Sequence, residues 1–382
     1  MFLGWLFLII AGVCAFIWPK SKWSALIVMI FMFIIYGFSS FSGDSEIYEH
    51  VYANVAQGKM LTEFEPLFTL IMLICTSLQF SFLGFRIVLA IIYITLLYIA
   101  VNKYTNCTAL VLFIFLLFPF TYFFSVLRAG LSGIIVVIGI NQLVKMKKFW
   151  FLKYIIIIAI AALFHYSAII FLPLVLAGGR QRKVRYFLIA AVLMAVIVYV
   201  LFNMGTIAKF LSIFTDRGKI LSWVSFDSVT DRSNIKGIIG SLLILFANIF
   251  FTYKSSQIYD KAALSIGYSL DSYPARLANT VKYINILMII ISPFLMITSV
   301  YLRFIWEIIL LNICVMVNAA DITSLRSQKT GSTLYRNISF NSLPVLAYSV
   351  LLFIYTNLPY YGTPIDGFLI FKNNYVLNFL GM

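Results

Sequence analysis

Two arginines and a histidine could act on a phosphate group in a chain that otherwise carries few charges. Arg128 and Arg303 each lie at the edge of an apolar segment, in Leu-Arg-Ala-Gly and Tyr-Leu-Arg-Phe. A guanidinium group can donate two parallel hydrogen bonds to phosphate oxygens, and a charge beside a bilayer interior is costly to keep. His165, one of two histidines, can accept a proton near neutral pH. The ordinary alternatives are arginines that reach the lipid headgroups and a hydrogen-bonded core histidine.

Asp44 and two tyrosines follow the second apolar segment. Asp44 could act as a base or accept a hydrogen bond from a sugar hydroxyl, although a solvated loop acid is the ordinary explanation. Tyr48 and Tyr52 follow at helical spacing, so their rings would form one stripe. The stripe could stack against a sugar, or it could belong to an interfacial aromatic belt. We predict Asp44 as a catalytic residue and the two tyrosines as substrate-binding residues.

Glu65 and Tyr166 complete the set of candidates. Glu65 precedes Pro66, and a proline in the first turn of a helix needs no functional explanation. The glutamate has no such explanation, and we predict that it binds substrate. Tyr166 follows His165 in the only polar cluster of its apolar stretch, and it is also predicted to bind substrate.

Composition identifies the class of protein. Of the 382 residues, 63% are hydrophobic and 11% are charged, and the mean hydropathy is +1.01. Soluble domains carry about twice this share of charged residues. We therefore predict an all-α fold, a polytopic transmembrane helical bundle of about 11 to 13 segments, some of them short or re-entrant. Residues 1–382 are predicted to form a single integral-membrane domain.

The charged and metal-binding residue types exclude several functions. The net charge of +15 fits the tendency of lysine and arginine to collect in cytoplasmic loops, and no basic domain outside the membrane is present for nucleic acid. The four cysteines are scattered without metal-ligand spacing, and no nucleotide, metal or serine-hydrolase motif occurs. We predict no metal and no cofactor. Without a nucleotide-binding motif, a lipid diphosphate substrate would itself have to supply the energy for the reaction.

Apolar runs predict where the chain crosses the membrane, because a helix needs about 20 residues to span the hydrocarbon core. The first run lacks a basic leader and a cleavage site, and it is predicted to be a retained span. The predicted segments are Phe2–Trp18, Trp23–Phe41, Leu67–Phe80, Ile87–Val101, Leu110–Phe124, Ala129–Val144, Phe151–Phe164, Ala168–Ala177, Tyr186–Phe202, Gly237–Tyr253, Tyr283–Val300, Phe304–Val317 and Leu343–Tyr355.

Two basic clusters orient the middle of the chain. They occupy residues 145–153 and 180–185, and the positive-inside rule places both in the cytoplasm. Only one apolar stretch, residues 154–177, lies between them, and a single crossing would put them on opposite sides. We therefore predict two short legs joined by a turn at His165-Tyr166-Ser167.

The same count places Arg128, His165 and Arg303 at one depth on the extracytoplasmic side. The count is inconsistent in the N-terminal third. The acidic residues of loop 42–65 favour the extracytoplasmic side, whereas a strict count of crossings puts this loop in the cytoplasm. One segment within residues 67–124 is therefore predicted to be re-entrant or not to cross, with Pro119 as a candidate helix break.

Five short motifs, taken in order, resemble the EpsG/Wzy-type polysaccharide polymerases. The resemblance covers roughly residues 40–310, and the order of an arginine motif and a histidine motif across lysine-rich sequence is its most specific part. The motifs are Gly43-Asp44 with Tyr48 and Tyr52, Glu65-Pro66-Leu67-Phe68, Leu127-Arg128-Ala129-Gly130-Leu131, Phe164-His165-Tyr166-Ser167 and Tyr301-Leu302-Arg303-Phe304.

The resemblance implies a membrane glycosyltransferase of the bacterial cytoplasmic (inner) membrane. It would join oligosaccharide units carried on undecaprenyl diphosphate into O-antigen, capsule or exopolysaccharide on the extracytoplasmic face. Arg128 and Arg303 would neutralise the departing diphosphate in place of a metal, and His165 or Asp44 would take the acceptor proton. The implied partners are the lipid-linked oligosaccharides and membrane lipids, with a chain-length regulator and a flippase as further candidates.

Three other functions share some of these features. An O-antigen ligase uses the same donor with a different acceptor, and a larger extracytoplasmic loop than residues 203–236 would favour it. A flippase or transporter of lipid-linked sugars often contains internal repeats, and the sequence has none. A membrane O-acyltransferase would use a histidine base but would not need two arginines. Polymerisation is the preferred interpretation.

Overall fold

The computed structural model describes residues 2–39, 44–59, 64–123, 126–178, 184–203, 232–295, 303–330, 341–361 and 374–379. Across these ranges the chain is helical and has no β-strand beyond an isolated bridge between Ser39 and Asn374, which confirms the predicted all-α class. Among the described residues, four helices are long and apolar enough to cross a membrane, and shorter apolar helices accompany them. The four are Phe82–Tyr104, Leu127–Lys145, Ile239–Ser265 and Arg303–Lys329.

Every predicted apolar segment corresponds to helical structure within the described residues. The α-helices are α1 (Phe2–Ile17), α2 (Lys22–Phe38), α3 (Ser45–Ala56), α4 (Pro66–Ser77), α5 (Phe82–Tyr104), α6 (Thr108–Phe115), α7 (Leu127–Lys145), α8 (Trp150–Ala162), α9 (Val184–Asn203), α10 (Arg232–Ser265), α11 (Tyr273–Leu287), α12 (Arg303–Thr330), α13 (Leu343–Tyr361) and α14 (Tyr375–Phe379). Shorter helical pieces are Leu116–Phe120, Thr121–Phe123, the 3₁₀ helix Tyr166–Ala177, Met288–Ile291 and Ser292–Leu295.

Pro119 breaks the segment that leads to Arg128, as the sequence predicts. Phe118, the residue before it, has an extended backbone with φ −162° and ψ 134°. A proline has no N–H to donate and its ring clashes with the preceding helical turn, so a regular helix cannot continue through it. The chain starts again at Leu127 as α7. Arg128 therefore lies in the first turn of a new helix, where a side chain can reach the end of the bundle.

The α8 helix and the 3₁₀ helix form the predicted pair of short legs. Near their open end, the ring of Trp150 lies against Gly178, and further along, the Tyr154 hydroxyl donates to the Phe171 carbonyl at 2.7 Å. The connection between the legs includes His165, whose backbone is extended at φ −159° and ψ 117°. The two predicted legs are present, but the turn between them lies at residues 163–165, since Tyr166 and Ser167 already begin the 3₁₀ helix. The packing of the two legs places His165 at the tip.

The close contact at the base of this hairpin predicts a stability effect. A Cβ atom added at Gly178 would lie 2.5 Å from the Trp150 ring, so the ring would have to move. We expect Gly178→Ala to lower the free energy of unfolding by about 1–3 kcal/mol, as other overpacked substitutions do. Thermal unfolding of the detergent-solubilised protein measures this change.

Gly37→Ala is the matched control, because its added Cβ would come no closer than 3.4 Å to the Ala90 side chain. In a helix interior this change should leave the melting temperature unchanged or raise it, since alanine is favoured over glycine by about 1 kcal/mol. Equal melting temperatures for the two variants would contradict the packing argument.

Helix α4 resolves the topology of the N-terminal third, because it runs only from the depth of Arg128 to the start of α5 and does not reach the opposite end of the bundle. Before it, Glu65 is bonded to Arg128 at the start of α7. After it, the Phe80 carbonyl accepts a hydrogen bond from Tyr52 of α3, just before α5 begins. At about 18 Å, a helix of this length is also too short to cross the hydrocarbon core. α4 is therefore the segment that does not cross, and α3, which carries Glu46 and Glu49 of the acidic region, lies at the same end as Arg128.

The parallel course of α5 and α7 gives the depth of Arg128. A Cβ at Gly130 would lie 3.5 Å from the Tyr93 ring, and the Tyr104 hydroxyl donates to the Val137 carbonyl. Tyr93 is eleven residues into α5, about 16 Å along the helix axis from its start. Arg128 thus lies well below the first residues of α5, in a recess of the bundle. We call the end of the bundle that holds it the Arg128 end.

A buried amide network holds the C-terminal helices together. Asn312 of α12 donates to Asn248 of α10 at 2.6 Å and exchanges hydrogen bonds with Asn285 of α11 at 2.8 and 3.1 Å. Tyr348 of α13 donates to the same Asn248 oxygen at 2.6 Å. Because buried polar groups are costly without partners, the network favours one rotation of α12 about its axis. That rotation determines which way Arg303 and the other residues of α12 face.

Candidate active site

Glu65 is the residue around which the candidate site is built. It is the last residue before α4, it has an extended backbone, and it is only 3% exposed. One carboxylate oxygen contacts Arg128, and the other contacts His165 and the backbone N–H of Tyr166. The carboxylate therefore joins three separate parts of the chain: the start of α4, the start of α7 and the tip of the α8 hairpin.

The guanidinium group of Arg128 is held in a defined plane. Its Nη1 atom donates to Glu65 Oε2 at 2.8 Å, and its central carbon lies 4.0 Å from the centre of the Phe64 ring. The ring of Tyr48 lies further away, at 5.9 Å. The Arg128 side chain is 23% exposed, and its Nε atom has no hydrogen-bond partner. An arginine that is oriented on one side and open on the other can still donate to an anion.

The imidazole of His165 is oriented by the same carboxylate. His165 Nδ1 lies 2.8 Å from Glu65 Oε1, and the Tyr166 N–H donates to that oxygen at 3.2 Å. The backbone is joined as well, since the Leu67 N–H donates to the Leu163 carbonyl at 3.0 Å. The tip of the hairpin and the start of α4 therefore hold each other in register, and the His165 side chain cannot turn away without losing its bond to Glu65.

The electrostatics of the cluster determine its protonation. Burial raises the pKa of the Glu65 carboxyl, but the hydrogen bond with His165 and the charge of Arg128 outweigh burial and lower the pKa to about 2. Burial lowers the pKa of His165, Glu65 acts against this, and the charges of Arg128 and Arg303 add to the lowering. At neutral pH Glu65 is ionised and His165 is neutral. An ionised carboxylate only accepts, so Nδ1 carries the proton and Nε2 remains a proton acceptor.

Arg303 is the third cationic group near this cluster. It begins α12 and its charge acts on His165. Within the described ranges no carboxylate lies within 4.0 Å of Arg303, and its buried Nε atom has no hydrogen-bond partner. Among the described residues, Arg128 is therefore in an ion pair and Arg303 is not.

Together these groups can bind an anion and take up a proton beside it. Two guanidinium groups supply positive charge, and a neutral imidazole supplies a base. In the part of the chain that the structure describes, no group of three or more histidine, cysteine, aspartate or glutamate residues could hold a metal ion.

A model of the EpsG family matches residues 22–361, which is most of the chain. The chain belongs to the EpsG family. This is a family of EpsG/Wzy-type polysaccharide polymerases, so the resemblance seen in the five sequence motifs is confirmed. No curated protein and no solved structure matches the chain. With its apolar helices, this EpsG-family protein is a multi-pass membrane protein that acts in polysaccharide biosynthesis.

The structure brings some of the predicted site residues together and gives others a packing role. Arg128, Glu65, His165 and the backbone of Tyr166 form one bonded cluster, with Tyr48 beside it. The Tyr166 side chain is exposed. The predicted substrate-binding roles of Tyr166 and Tyr48 stay predictions.

Tyr52 and Asp44 lie outside the bonded cluster. The Tyr52 hydroxyl donates to the Phe80 carbonyl at 2.8 Å, and its ring stacks on Phe85 at 5.0 Å, so both parts of the side chain are used in packing α3 against α5. Asp44 occupies the N-cap position of α3, one turn before Tyr48, and makes no capping hydrogen bond. A substrate role for either residue stays a prediction.

Two residues of the site were not found by sequence reasoning. Phe64 lies under the Arg128 guanidinium, and a single phenylalanine among 37 gives no signal of its own. Glu307 is a buried carboxyl of α12, one helical turn after Arg303. The sequence does contain a signal for Glu307, because a glutamate inside an apolar segment at i+4 from an arginine is unusual.

Proposed function

We propose that this EpsG-family protein is a glycosyltransferase that polymerises oligosaccharide repeat units carried on undecaprenyl diphosphate. The observation that carries the proposal is the bonding of Arg128 and His165 to the two oxygens of one buried carboxylate. This arrangement fixes an anion-binding group and a base next to each other. A transfer from a diphosphate to a hydroxyl needs both groups at one place.

The residues suit a direct displacement at the anomeric carbon of the donor sugar. A hydroxyl of the acceptor unit forms the new C–O bond while the bond between that carbon and the phosphate oxygen breaks. The phosphate oxygen keeps the electron pair, and the proton of the hydroxyl passes to Nε2 of His165. Arg128 and Arg303 stabilise the charge that develops on the diphosphate, which is worth several kcal/mol, about 3 for one donor in comparable sites.

His165 is favoured over Asp44 as the base. The imidazole is neutral, only 15% exposed and oriented by Glu65, whereas Asp44 has no bond to the cluster in the described structure. A base is most effective when its pKa lies near the working pH. An oriented imidazole meets this condition, because the ordinary pKa of histidine lies closest to neutral pH among the side chains.

The distribution of charge supports an extracytoplasmic reaction. Lys145 lies at the far end of α7 from Arg128, and Lys103 lies at the far end of α5. Lys20 precedes α2 and Lys22 is its first residue, and the opposite end of this helix is bonded to Arg86 near the start of α5. These lysines lie away from the Arg128 end, and the positive-inside rule favours an extracytoplasmic position for that end.

Ligation of a finished chain to another acceptor is the second candidate, because it would use the same donor and the same catalytic groups. Membership of the EpsG family favours polymerisation. The polymer class, whether O-antigen, capsule or exopolysaccharide, and the proposed chain-length regulator and flippase rest on the family resemblance alone.

Conservative arginine replacements test the proposal. We expect Arg128→Lys and Arg303→Lys each to reduce polymer formation by about 10–100-fold, because a lysine keeps the charge but loses the paired donors that bind phosphate. The measurement is complementation of a strain that lacks the chromosomal gene, with polymer ladders compared at equal protein levels.

Arg326→Lys is the matched control, because this arginine is exposed at the opposite end of α12. It should restore full-length polymer. If both site variants do so as well, the proposed use of the arginines is wrong. A ligase would be recognised by its gel pattern, since its loss leaves uncapped core while loss of a polymerase leaves single capped units.

A further inference from the structure

A groove between α2 and α5 lies at the end of the bundle opposite Arg128, and the proposed reaction uses none of its residues. Its volume is about 420 Å³, within the range of about 300–1,000 Å³ that is usual for small-ligand sites. One cation, two aromatic rings and two aliphatic side chains surround it. The lining residues are Lys22, Trp23, Leu26, Met29 and Tyr98.

The antiparallel course of α2 and α5 brings a second lysine to the level of this groove. Near the Arg128 end, Arg86 of α5 donates to the Tyr36 carbonyl of α2 at 3.0 Å. Lys22 lies fourteen residues before Tyr36, and Lys103 lies seventeen residues after Arg86. Because both helices rise about 1.5 Å per residue, the two lysines are within about one helical turn of each other in depth.

The fold does not neutralise the charge of these two lysines. Lys20, just before α2, forms an ion pair with Asp321 at 2.9 Å. Within the described ranges, by contrast, no carboxylate lies within 4.0 Å of Lys22 or Lys103, and both residues are exposed. The rim of the groove therefore presents positive charge that is free to attract an anion.

Beyond its lysine rim, the groove is apolar and opens on the outer surface of the bundle. Trp23 is 77% exposed and Leu26 is 42% exposed, and Ile30 continues this apolar strip one turn further along α2. Tryptophan and tyrosine rings are enriched where acyl chains meet headgroups, and Tyr98 supplies a second such ring from α5. A ligand that suits both parts of the groove has an anionic head and an apolar tail.

We propose that this groove binds a phospholipid with an anionic headgroup, in the leaflet that the proposed orientation makes cytoplasmic. The phosphate lies at Lys22, with the charge of Lys103 at the same level, and an acyl chain lies along Leu26 and Met29. Inorganic phosphate would leave the apolar part of the groove empty, whereas a phospholipid fills both parts. The inference does not depend on the proposed reaction, because the groove lies at the other end of the bundle.

The test follows the fluorescence of Trp23 in the full-length protein reconstituted into vesicles. Lipids with brominated acyl chains quench a tryptophan that they contact, and the difference between the wild type and Trp23→Phe isolates the signal of this ring. Two vesicle series contain the same mixture of phosphatidylglycerol and phosphatidylcholine and differ only in which lipid is brominated. We expect brominated phosphatidylglycerol to associate with Trp23 about fivefold more strongly, as one lysine at an anionic lipid surface provides.

Substitutions at Lys22 test the role of its charge. Lys22→Gln should remove most of the preference for phosphatidylglycerol, and Lys22→Arg should keep it. Lys147→Gln is the matched control, because Lys147 is an exposed lysine at the same end of the bundle but follows α7, and it should also keep the preference. Raising the salt from about 0.05 M to about 0.5 M should weaken the preference of the wild type and leave Lys22→Gln unchanged.

Equal quenching of Trp23 by the two brominated lipids in the wild type would overturn the inference, and so would a preference that survives in Lys22→Gln. If neither lipid quenches Trp23, something other than a phospholipid covers the groove, and the inference is wrong. The salt dependence of the wild type needs no variant, so it decides the matter if Lys22→Gln does not fold. None of these outcomes changes the proposed polymerase reaction.

Discussion

Replacing Glu65 by alanine should abolish polymer formation. The carboxylate holds both Arg128 and His165 at 2.8 Å, so a single substitution removes the orientation of the anion-binding group and of the base together. In a hydrolase triad, loss of the carboxylate that orients the histidine costs about 10⁴-fold in rate. We expect a loss of at least about 10³-fold for Glu65→Ala, because the arginine is released as well.

Stability should suffer in the same variant. Arg128 would keep its charge in a largely buried position after losing its ion-pair partner. Removal of one member of a buried ion pair typically costs about 3–5 kcal/mol, because the remaining charge is left uncompensated. Glu65→Gln should fold better, since the amide can still accept hydrogen bonds. Its polymer should nevertheless be reduced, by about 10²-fold, because the ion pair is lost.

Two other carboxylates in the same acidic region supply the controls. Glu46 and Glu49 lie on exposed positions of α3, close in sequence to Glu65 but without its contacts. Glu46→Gln and Glu49→Gln should give ladders like those of the wild type. Ladders and protein levels are compared in the same complemented strain. Normal polymer from a well-expressed Glu65→Ala protein would remove Glu65 from the site.

The contacts of Glu65 also mark the limit of sequence reasoning. The count of basic clusters predicted that Arg128, His165 and Arg303 share a depth, and the structure places the first two on one carboxylate with the third acting on His165. In the sequence alone, Glu65 is only a glutamate that the start of a helix does not explain. Its partners lie 63 and 100 residues away, and no periodicity or charge rule connects positions across such distances.

The count of membrane crossings was inconsistent in the N-terminal third for a different physical reason. Hydropathy treats α4 as a span because its residues are apolar, and several of them, such as Leu70, Leu73 and Ile74, are indeed exposed on the surface. Apolar composition measures compatibility with lipid, and it does not state whether both ends of a helix lie on the same side. The bonds of Glu65 and Tyr52 supply that information, and they became visible only in three dimensions.

Replacing His165 by alanine should remove the pH dependence of the reaction together with most of its rate. General bases contribute about 10²–10⁴-fold, and this loss should appear in polymer formed from the native lipid-linked unit extracted from the deletion strain. The wild type should be active at neutral pH and lose activity only as the pH falls below the ordinary histidine value of 6.5, because burial lowers the pKa of His165 and the base must be neutral.

The direction in which a Glu65 substitution shifts this pH profile shows whether His165 acts as a base. Its hydrogen bond and its charge raise the pKa of His165, so Glu65→Gln should move the acidic limb of the profile to still lower pH while reducing the maximal rate. The residual activity of Glu65→Gln, followed across the acidic range, measures this displacement. A limb that moves to higher pH, or a rate that rises as the pH falls, would mean that His165 acts in its protonated form. The imidazole would then bind phosphate beside the two arginines, and the acceptor proton would have to go to another base, such as Asp44.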